Sequence, residues 1–354
     1  MHTYRYILTG LGNIGCTFLE MLHAREDLLA ERYGLGLQAV GLADSSGVAY
    51  DPAGFAIAAV AAHKRARRGV AELPQAQVGW DSVRLMHEAT AELLLEATPT
   101  NLVDAQPGLA IVRTALTRGM HAVLASKGPL VLGYQELAAL SDLANGAPGS
   151  AKGKPCLRFS GAVGGGLPSI NIGWRDLAGA RIRAVEAVLN GTTQVILQLM
   201  ADGQTFAQAL AAAQAMGIVE PDPALDVDGW DAASKLVILA NAVLQQPTRL
   251  ADLHVTGIAE VSSQALAAAR AAGGRMSLVG RATLQPDGRY QLSVAPTTLA
   301  AEHPLAHLGL GEMGIVYESD NIGRTVAASL EDGPLGSTAA MLRDVIEIVR
   351  SVGE

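Results

Sequence analysis

The sequence is poor in cysteine and in aromatic residues, and it carries more acidic than basic side chains. Its 354 residues include two cysteines, and aromatic residues make up 4%. Cys16 and Cys156 form no C-x-x-C spacing and are too few for a disulfide framework. The scarcity of aromatic rings disfavours ligand binding by base stacking. The net charge of −8 is opposite to the basic surface that a phosphate backbone requires, so no nucleic-acid partner is expected.

Long apolar runs are also missing. The longest uncharged apolar stretch, Leu236–Leu244, is far shorter than the roughly 20 residues that span a bilayer. The first ten residues, MHTYRYILTG, lack the basic and then apolar layout of a signal peptide. We therefore expect a soluble, cytoplasmic protein with no membrane partner. A hydrophobic content of 49% in a chain of this length favours two domains with packed cores.

Short aliphatic runs alternate with helix-length segments in the first half of the chain, a pattern typical of a parallel sheet in an α/β fold. The predicted strands of this half are Tyr4–Thr9, Gln38–Ala43, Leu93–Ala97 and His121–Ala125. The predicted helices run from the glycine cluster after the first strand to about Ala24, and from about Ala105 to Arg118.

The pattern changes after the loop 145–153, which predicts a second domain of mixed α+β type. Its predicted strands are Ile182–Leu189, Met276–Leu284 and Tyr290–Ala295, and its predicted helices begin near Gln194 and Gly229. We expect residues 1–150 to form the first domain and residues 151–320 the second. An amphipathic helix over Ser337–Ser351, within the segment 321–354, is expected to return to the first domain.

Three glycines with a G-x-G-x-x-G spacing follow the first predicted strand. Gly10, Gly12 and Gly15, with Asn13 and Ile14 between the last two, also open a predicted helix. In this context the first glycine makes a tight turn, the second lets the backbone approach a pyrophosphate, and the third lets helix and strand pack. The motif therefore predicts a Rossmann-type, doubly wound dinucleotide-binding domain. The simpler alternative is a tight turn between strand and helix.

Asp44 ends the second predicted strand, where an acidic side chain accepts hydrogen bonds from the adenosine ribose and repels a 2′-phosphate. This placement favours NAD over NADP, although both cofactors fit the motif. The alternative role for Asp44 is to open the turn Asp44–Gly47. The basic run Lys64–Arg68 reaches a 2′-phosphate or, as the preferred interpretation, forms a solvated helix face.

Carboxylates gather ahead of an apolar helix in the second half. Asp228 is predicted to cap this helix, with Asp231 and Lys235 four residues apart in its first turns. The pair is either an exposed ion pair or, because the helix beyond it is apolar all round, a partly buried acid–base group. In the second case the surrounding acids could bind a substrate ammonium group. Lys127, after a predicted strand of the first domain, is a second candidate acid–base group.

Several longer motifs resemble those of the homoserine dehydrogenase family, and they cover nearly the whole chain. They are GLGNIG at 10–15, EATPTN at 96–101, ASKGPL at 125–130, GAVGGGLP at 161–168, NGTTQVIL at 190–197, GIVEPDPALDVDGWDAASK at 217–235 and DGPLGSTAAMLRDV at 332–345. The string over 217–235 is the most specific of them. The resemblance implies an oxidoreductase that interconverts L-homoserine and L-aspartate 4-semialdehyde with NAD or NADP, in threonine and methionine biosynthesis.

The resemblance also implies roles for individual residues. Lys235 and Lys127 serve the proton transfer, and either can be the principal acid–base group. Glu220 and Asp231 hold the substrate amino group, with Asp226 in the same acidic cluster. The remaining residues implied in binding are Gly191 and Thr192 at the substrate, and Thr98, Pro99 and Lys127 near the nicotinamide.

Two positions depart from the family pattern. Ser126 stands where the family usually has asparagine before the first lysine. Ser160 stands where some members have a glutamate that helps to bind a monovalent cation, Na⁺ or K⁺. The resemblance assigns the other ligands of that cation to the backbone carbonyls of Val163, Gly165 and Leu167. Loss of the carboxylate weakens the expectation of a cation.

The resemblance implies a homodimer formed through the second domain. The resemblance is to the short form of the family, which has neither an aspartate kinase nor a regulatory ACT domain. Threonine feedback through such a domain is therefore not expected. Two alternative functions stay open at this point. One is a non-catalytic, nicotinamide-binding paralogue that acts as a sensor, and the other is a dehydrogenase of a related amino-acid alcohol or semialdehyde.

Overall fold

Two units, each built around its own six-stranded sheet, make up the chain in the computed structural model, which describes residues 2–216, 223–331 and 333–352. Unit 1 comprises Met1–Gly166 and Asp332–Glu354, and unit 2 comprises Leu167–Glu331. The boundaries between the units therefore lie later in the chain than the boundaries predicted from the sequence, residues 150 and 320. No helix within the described ranges is long and apolar enough to cross a membrane.

The sheet of unit 1 has the strand order of a doubly wound nucleotide-binding domain. Its strands are β1 (His2–Thr9), β2 (Leu35–Asp44), β3 (Gly47–Tyr50), β4 (Leu93–Glu96), β5 (His121–Leu124) and β6 (Leu157–Arg158). They lie in the order β3-β2-β1-β4-β5-β6, and every pair is parallel except β2 with β3. The order reverses between β1 and β4, so a ligand crevice is expected at the carboxyl ends of these strands.

Seven helices connect the strands of unit 1 in the described part of the chain before β6. They are α1 (Asn13–His23), α2 (Glu26–Tyr33), α3 (Ile57–Arg65), α4 (Ser82–Glu88), α5 (Gly108–Thr117), α6 (Gly128–Leu132) and α7 (Tyr134–Leu140). α1 matches its prediction closely. α5 begins at Gly108 and not at Ala105, because the backbone of Ala105 has a left-handed φ of 60°.

The sheet of unit 2 is mainly antiparallel. Its strands are β7 (Ile182–Val188), β8 (His254–Val255), β9 (Arg275–Leu284), β10 (Tyr290–Leu299), β11 (Glu312–Ser319) and β12 (Arg324–Leu330), in the order β12-β11-β7-β9-β10-β8. Only the β8–β10 pair is parallel among these strands. The predicted strands Met276–Leu284 and Tyr290–Ala295 form the antiparallel pair β9 and β10, and β10 runs on to Leu299, which lies opposite Arg275.

Two helices of unit 2 begin differently from the predictions, α9 in its first residue and α12 in its capping residue. They are α8 (Ser169–Asn171), α9 (Gly191–Ala201), α10 (Phe206–Ala215), α11 (Ala224–Val227), α12 (Trp230–Ala242) and α13 (Ser263–Ala271), with a π-helical turn over Ile172–Asp176. α9 begins at Gly191, before Gln194, since Asn190 accepts a capping hydrogen bond from Thr193 N–H at 2.8 Å. The prediction that Asp228 caps α12 is wrong. Gly229, with φ of 87°, holds that position and Asp228 ends α11.

The C-terminal helix α14 (Leu335–Val352) belongs to unit 1 and packs against α1 and β5. Most of its buried residues recur three or four positions apart; they are Thr338, Ala340, Met341, Leu342, Asp344, Val345 and Ile348. This spacing places them on one face of the helix, as the amphipathic pattern of the sequence predicts.

Candidate functional site

The turn Gly10–Gly15, here called the glycine turn, joins β1 to α1 at the carboxyl edge of the unit 1 sheet. Gly10 has φ of 83°, and a Cβ atom added to it would lie 2.2 Å from the Ala97 carbonyl oxygen. A Cβ atom on Gly15 would lie 2.4 Å from the Gly10 carbonyl oxygen, whereas one on Gly12 would meet no described atom within 4 Å. Packing therefore requires the outer glycines, and the middle one leaves the space that a pyrophosphate needs.

Asp44, at the end of β2, lies in a dense set of hydrogen bonds. Its carboxylate accepts from the backbone N–H and hydroxyl of Ser46 at 2.8 and 2.5 Å, and from Val70 N–H at 3.1 Å. Lys64 Nζ also donates to it. Burial by itself would raise the pKa of Asp44, but these bonds hold the pKa below its ordinary value, and the group is a carboxylate at neutral pH.

The prediction that the basic run Lys64–Arg68 forms a solvated helix face is wrong for Lys64. Its side chain is only 13% exposed, since it turns inward to pair with Asp44. Arg65 pairs with Glu20 through two contacts of 2.8 Å, and both of these side chains are partly exposed. The sequence places Lys64 and Asp44 twenty positions apart, so their pairing depends on how α3 packs against the sheet.

Two loops follow β4 and β5 at the same edge of the sheet as the glycine turn. Thr98 and Pro99 lie in the first loop. Ser126 and Lys127 lie in the second, where Lys127 immediately precedes α6. The loops touch closely: a Cβ atom on Gly128 would lie 2.6 Å from the Asn101 carbonyl oxygen. The residues that the sequence predicts near the nicotinamide are therefore brought together around the carboxyl ends of β1, β4 and β5.

Glu96, the last residue of β4, joins these two loops and was not singled out from the sequence. It is fully buried. One carboxylate oxygen accepts from Thr98 N–H at 2.8 Å and from the Thr98 hydroxyl, and the other accepts from the Ser126 hydroxyl. Burial raises the pKa of Glu96, while the bonds from Ser126 and Thr98 act in the opposite direction. A glutamate that ends an otherwise apolar strand was the available signal.

Unit 2 contains a connected acid–lysine network between α9 and α12. Lys235 Nζ donates to Asp231 Oδ2 at 2.8 Å and to the Leu189 carbonyl oxygen at 2.6 Å. Asn190 Nδ2 donates to Asp231 Oδ2 at 2.8 Å and to Asp226 Oδ1 at 2.6 Å. The structure thus brings together Lys235, Asp231 and Asp226, and it adds Asn190 as their link.

Burial decides between the two interpretations of the Asp231–Lys235 pair. The Lys235 side chain is 12% exposed and the Asp231 side chain is 14% exposed, so the pair is not a solvated surface ion pair. Among the described residues, Asp231 and Leu189 take two of the three N–H bonds of the Lys235 ammonium group. The third can serve an oxygen atom of a substrate. The network therefore places an amine beside carboxylates, an arrangement that can carry a proton and bind a cationic ligand.

The other predicted substrate residues lie at the start of α9 or outside the described ranges. Gly191 and Thr192 form the first turn of α9, directly after Asn190. A Cβ atom on Gly191 would lie 3.2 Å from the Gly311 carbonyl oxygen, so a larger residue would crowd this turn. Glu220 falls outside the described residues. Asn190 was named from the sequence only as the first residue of the motif NGTTQVIL, and that place in the motif was the available signal.

The carbonyl ligands implied for a monovalent cation, Val163, Gly165 and Leu167, are present in the sequence, but the carboxylate at position 160 is not. The Ser160 hydroxyl donates to Asp344 Oδ1 at 2.6 Å, and Ser160 N–H donates to Asp344 Oδ2 at 2.7 Å. Within the described ranges, no cluster of three or more histidine, cysteine or acidic side chains could hold a metal ion. The residues fit the implied cation site only in part.

Comparisons with known proteins agree with the motifs. The sequence model of the family described as homoserine dehydrogenase matches residues 168–346. The chain is 32% identical to an NAD(+)-dependent homoserine dehydrogenase of Pseudomonas canavaninivorans, with 99% of this chain and 97% of that protein covered. It is 31% identical to a homoserine dehydrogenase of Methanocaldococcus jannaschii, with 98% of each chain covered.

The fold is also that of solved structures. A crystal structure from Archaeoglobus fulgidus, provisionally described as a homoserine dehydrogenase, superposes with a TM-score of 0.83 at 26% identity. The match covers 98% of this chain and 99% of that chain. The similarity therefore extends over both units and is not limited to the nucleotide-binding fold.

Proposed function

Because the chain belongs to the homoserine dehydrogenase family, we propose that its two sites serve one reaction, the interconversion of L-homoserine and L-aspartate 4-semialdehyde. The observation that carries this proposal is the buried network of Lys235, Asp231, Asn190 and Asp226. The glycine turn supplies the site for the nicotinamide cofactor, which accepts or donates the hydride when it is bound.

Lys235 moves the proton in this proposal. In the oxidative direction its amine takes the proton of the substrate hydroxyl, and in the reductive direction its ammonium group protonates the developing alkoxide. Asp231 and the Leu189 carbonyl orient the amine through bonds of 2.8 and 2.6 Å. A positioned acid–base group of this kind contributes typically ~10²–10⁴ in rate.

The carboxylates of the network bind the substrate amino group. Asp231 and Asp226 are held side by side by Asn190, which donates one N–H to each. We assign Glu220 to the same role from its place in the acidic motif. Gly191 and Thr192 line the pocket at the start of α9. An ammonium group near these acids exchanges solvent for charge-assisted hydrogen bonds.

Lys127 is the second lysine of the proposal. It stands at the carboxyl edge of the unit 1 sheet, in the loop bound to Glu96 through Ser126, and we assign it to the nicotinamide side together with Thr98 and Pro99. In this position it either shares the proton transfer or orients the cofactor.

NAD is the proposed cofactor in preference to NADP. Asp44 ends β2, where the adenosine ribose binds in this fold, and the bonds that hold its pKa low keep it anionic. The Lys64 amine already donates to the Asp44 carboxylate, so it is not available to bind a 2′-phosphate. A 2′-phosphate would therefore meet a buried carboxylate whose partners are satisfied.

A homodimer formed through unit 2 is the proposed assembly. β12 is the edge strand of its sheet, and Val326 and Leu330, on the same face of this strand, are 47% and 60% exposed. Ile322, just before β12, is 57% exposed. An edge strand with exposed apolar side chains is unfavourable in water, and a second copy of the chain would cover it.

A monovalent cation, Na⁺ or K⁺, is kept as a secondary proposal with the backbone carbonyls of Val163, Gly165 and Leu167 as its ligands. Ser160, in place of the family's glutamate, binds Asp344. No step of the reaction depends on a cation here. Replacing sodium and potassium salts with tetramethylammonium salts measures its contribution to the rate.

The proposed function is tested by following nicotinamide absorbance with the purified protein and L-homoserine. Each of NAD and NADP is supplied in turn, and L-serine and 2-amino-5-hydroxypentanoate serve as shorter and longer substrates. The proposal predicts turnover of homoserine well above that of both homologues. Preference for a homologue would favour a related dehydrogenase, and cofactor binding without any turnover would favour a sensor.

A further inference from the structure

We propose that Glu96 is a positioning residue that sets the geometry of the nicotinamide side of the site, by fixing the loop after β4 and the loop after β5 with its two carboxylate oxygens. It reaches the reaction through Thr98 on one side and Lys127 on the other. The inference rests on the proposed function, because Thr98 and Lys127 are assigned to the cofactor there.

Both carboxylate oxygens of Glu96 act as hydrogen-bond acceptors. One oxygen accepts from both the N–H and the hydroxyl of Thr98, and the other accepts from the Ser126 hydroxyl. An amide of the same length has one acceptor oxygen, so the Ser126 hydroxyl would have to reorient and accept from the NH₂ group instead of donating. Because Glu96 is fully buried, water cannot take the place of a lost partner.

The contacts of Glu96 lead to functional loops. Ala97 and Thr98, which follow it, pack directly against Gly10 of the glycine turn, where a Cβ atom would lie within 2.5 Å of Thr98 N. Lys127, which follows Ser126, donates its N–H toward the Thr100 hydroxyl at 3.5 Å. A shift of the Glu96 carboxylate therefore displaces the glycine turn and Lys127 at the same time.

This arrangement also explains how the chain accommodates serine before Lys127. The Ser126 hydroxyl donates to Glu96 inside the protein, and Ser126 as a whole is only 3% exposed. The serine is therefore a partner of the buried carboxylate.

The test compares Glu96→Gln with wild type in two measurements. NADH binding is followed by fluorescence titration, and turnover of homoserine is followed by absorbance. We expect at least a roughly tenfold rise in the Kd for NADH and a roughly tenfold fall in kcat, since displacements of about 1 Å in an active site cost up to ~10²-fold. Asp344→Asn is the matched control, because Asp344 is also fully buried and accepts from a serine hydroxyl and backbone N–H.

A milder pair of variants keeps the test valid where Glu96→Gln folds poorly. Ser126→Ala removes one donor to Glu96, while Ser126→Thr keeps the hydroxyl. We expect Ser126→Ala to lower kcat roughly tenfold with a smaller change in the Kd for NADH, and Ser126→Thr to recover most of the rate. Circular dichroism melts measure how far each variant is destabilised.

The proposal is overturned if Glu96→Gln or Ser126→Ala keeps the wild-type Kd and kcat, or if Asp344→Asn changes both as strongly. Failure of the proposed function is a different result, namely wild-type protein that binds NADH but does not turn over homoserine. The NADH titration of Glu96→Gln still tests the positioning role in that case, because cofactor binding does not require turnover.

Discussion

Lys235 Nζ lies 2.8 Å from Asp231 Oδ2, and the two side chains are only 12% and 14% exposed to solvent. The amine at the start of a buried helix is therefore paired with a carboxylate that also faces Asn190. This one contact joins the proton-transfer role proposed for the lysine to the ammonium-binding role proposed for the acidic cluster.

Asp231→Asn tests this joint role. The variant removes the negative charge that orients Lys235 and attracts the substrate ammonium group. Because hydrogen bonds to charged groups contribute about 1.5–3 kcal/mol, we expect the KM for homoserine to rise by roughly 10–100-fold, with a lower kcat. Steady-state kinetics measure both constants. Asp228→Asn is the matched control, since Asp228 is exposed at the end of α11, and an equal effect there would contradict the assignment.

Asp44→Ser tests the choice of cofactor. The substitution removes the carboxylate that repels a 2′-phosphate and releases the amine of Lys64, which then has an anion to bind. We expect the ratio of kcat/KM for NADP to kcat/KM for NAD to rise by roughly 10–100-fold relative to wild type. An unchanged ratio would mean that Asp44 only stabilises the turn Asp44–Gly47 and does not select the cofactor. Asp51→Ser is the control, because Asp51 also accepts a local backbone bond, from Ala53 N–H.

We expect the stability of the folded protein to depend on pH through the buried carboxyl group of Asp344. Burial raises the pKa of this carboxyl to about 6, against the bonds from Ser160. The folded protein therefore keeps a proton that the unfolded chain releases near pH 4, and the stability contributed by Asp344 falls as the pH rises from about 4 to about 6. A shift of this size corresponds to about 3 kcal/mol.

Asp344→Asn removes this titration, and the Ser160 hydroxyl can accept from the new amide. The free energy of unfolding of the variant, relative to wild type, is expected to increase by about 2 kcal/mol between pH 4.5 and pH 7. Urea titrations at a series of pH values measure it. A difference between the two proteins that stays constant with pH would contradict the raised pKa.

Val326→Lys combined with Leu330→Lys tests the homodimer. Two charges on the exposed face of β12 should prevent a second copy from covering that edge. Light scattering after gel filtration is expected to give twice the chain mass of 36.6 kDa for wild type and a single chain mass for the variant. Val78→Lys, at a 99% exposed position of unit 1, is the control. A monomeric wild type or a dimeric variant would contradict the proposed assembly.

Features set by neighbouring residues could be predicted from the sequence. The glycine turn required only a strand, three spaced glycines and a helix, and the structure places each of these in order. The helix that carries Lys235 was predicted from a run of apolar residues on all its faces, and α12 is buried along most of its length. Its N-cap was missed, because Gly229, with a left-handed backbone, holds the position predicted for Asp228.

Features that depend on distant partners could not be predicted. Lys64 and Asp44 meet only when α3 packs at the end of β2. Glu96 gains its role because parallel strands bring Ser126, thirty residues later, to the same sheet edge. Asn190 likewise binds Asp226 and Asp231 across two helices. Local patterns identify the candidate catalytic residues, whereas tertiary packing decides which polar groups hold them in place.

The most direct test of the account is Lys235→Ala, assayed for homoserine oxidation and for NADH binding. Loss of the proton carrier is expected to lower kcat by ~10²–10⁴ while the Kd for NADH stays at the wild-type value, because the proposal assigns Lys235 to the substrate and not to the cofactor. Lys152→Ala, at an exposed lysine, controls for the loss of a positive charge. A Lys235→Ala protein that keeps the wild-type kcat would contradict the proposed mechanism.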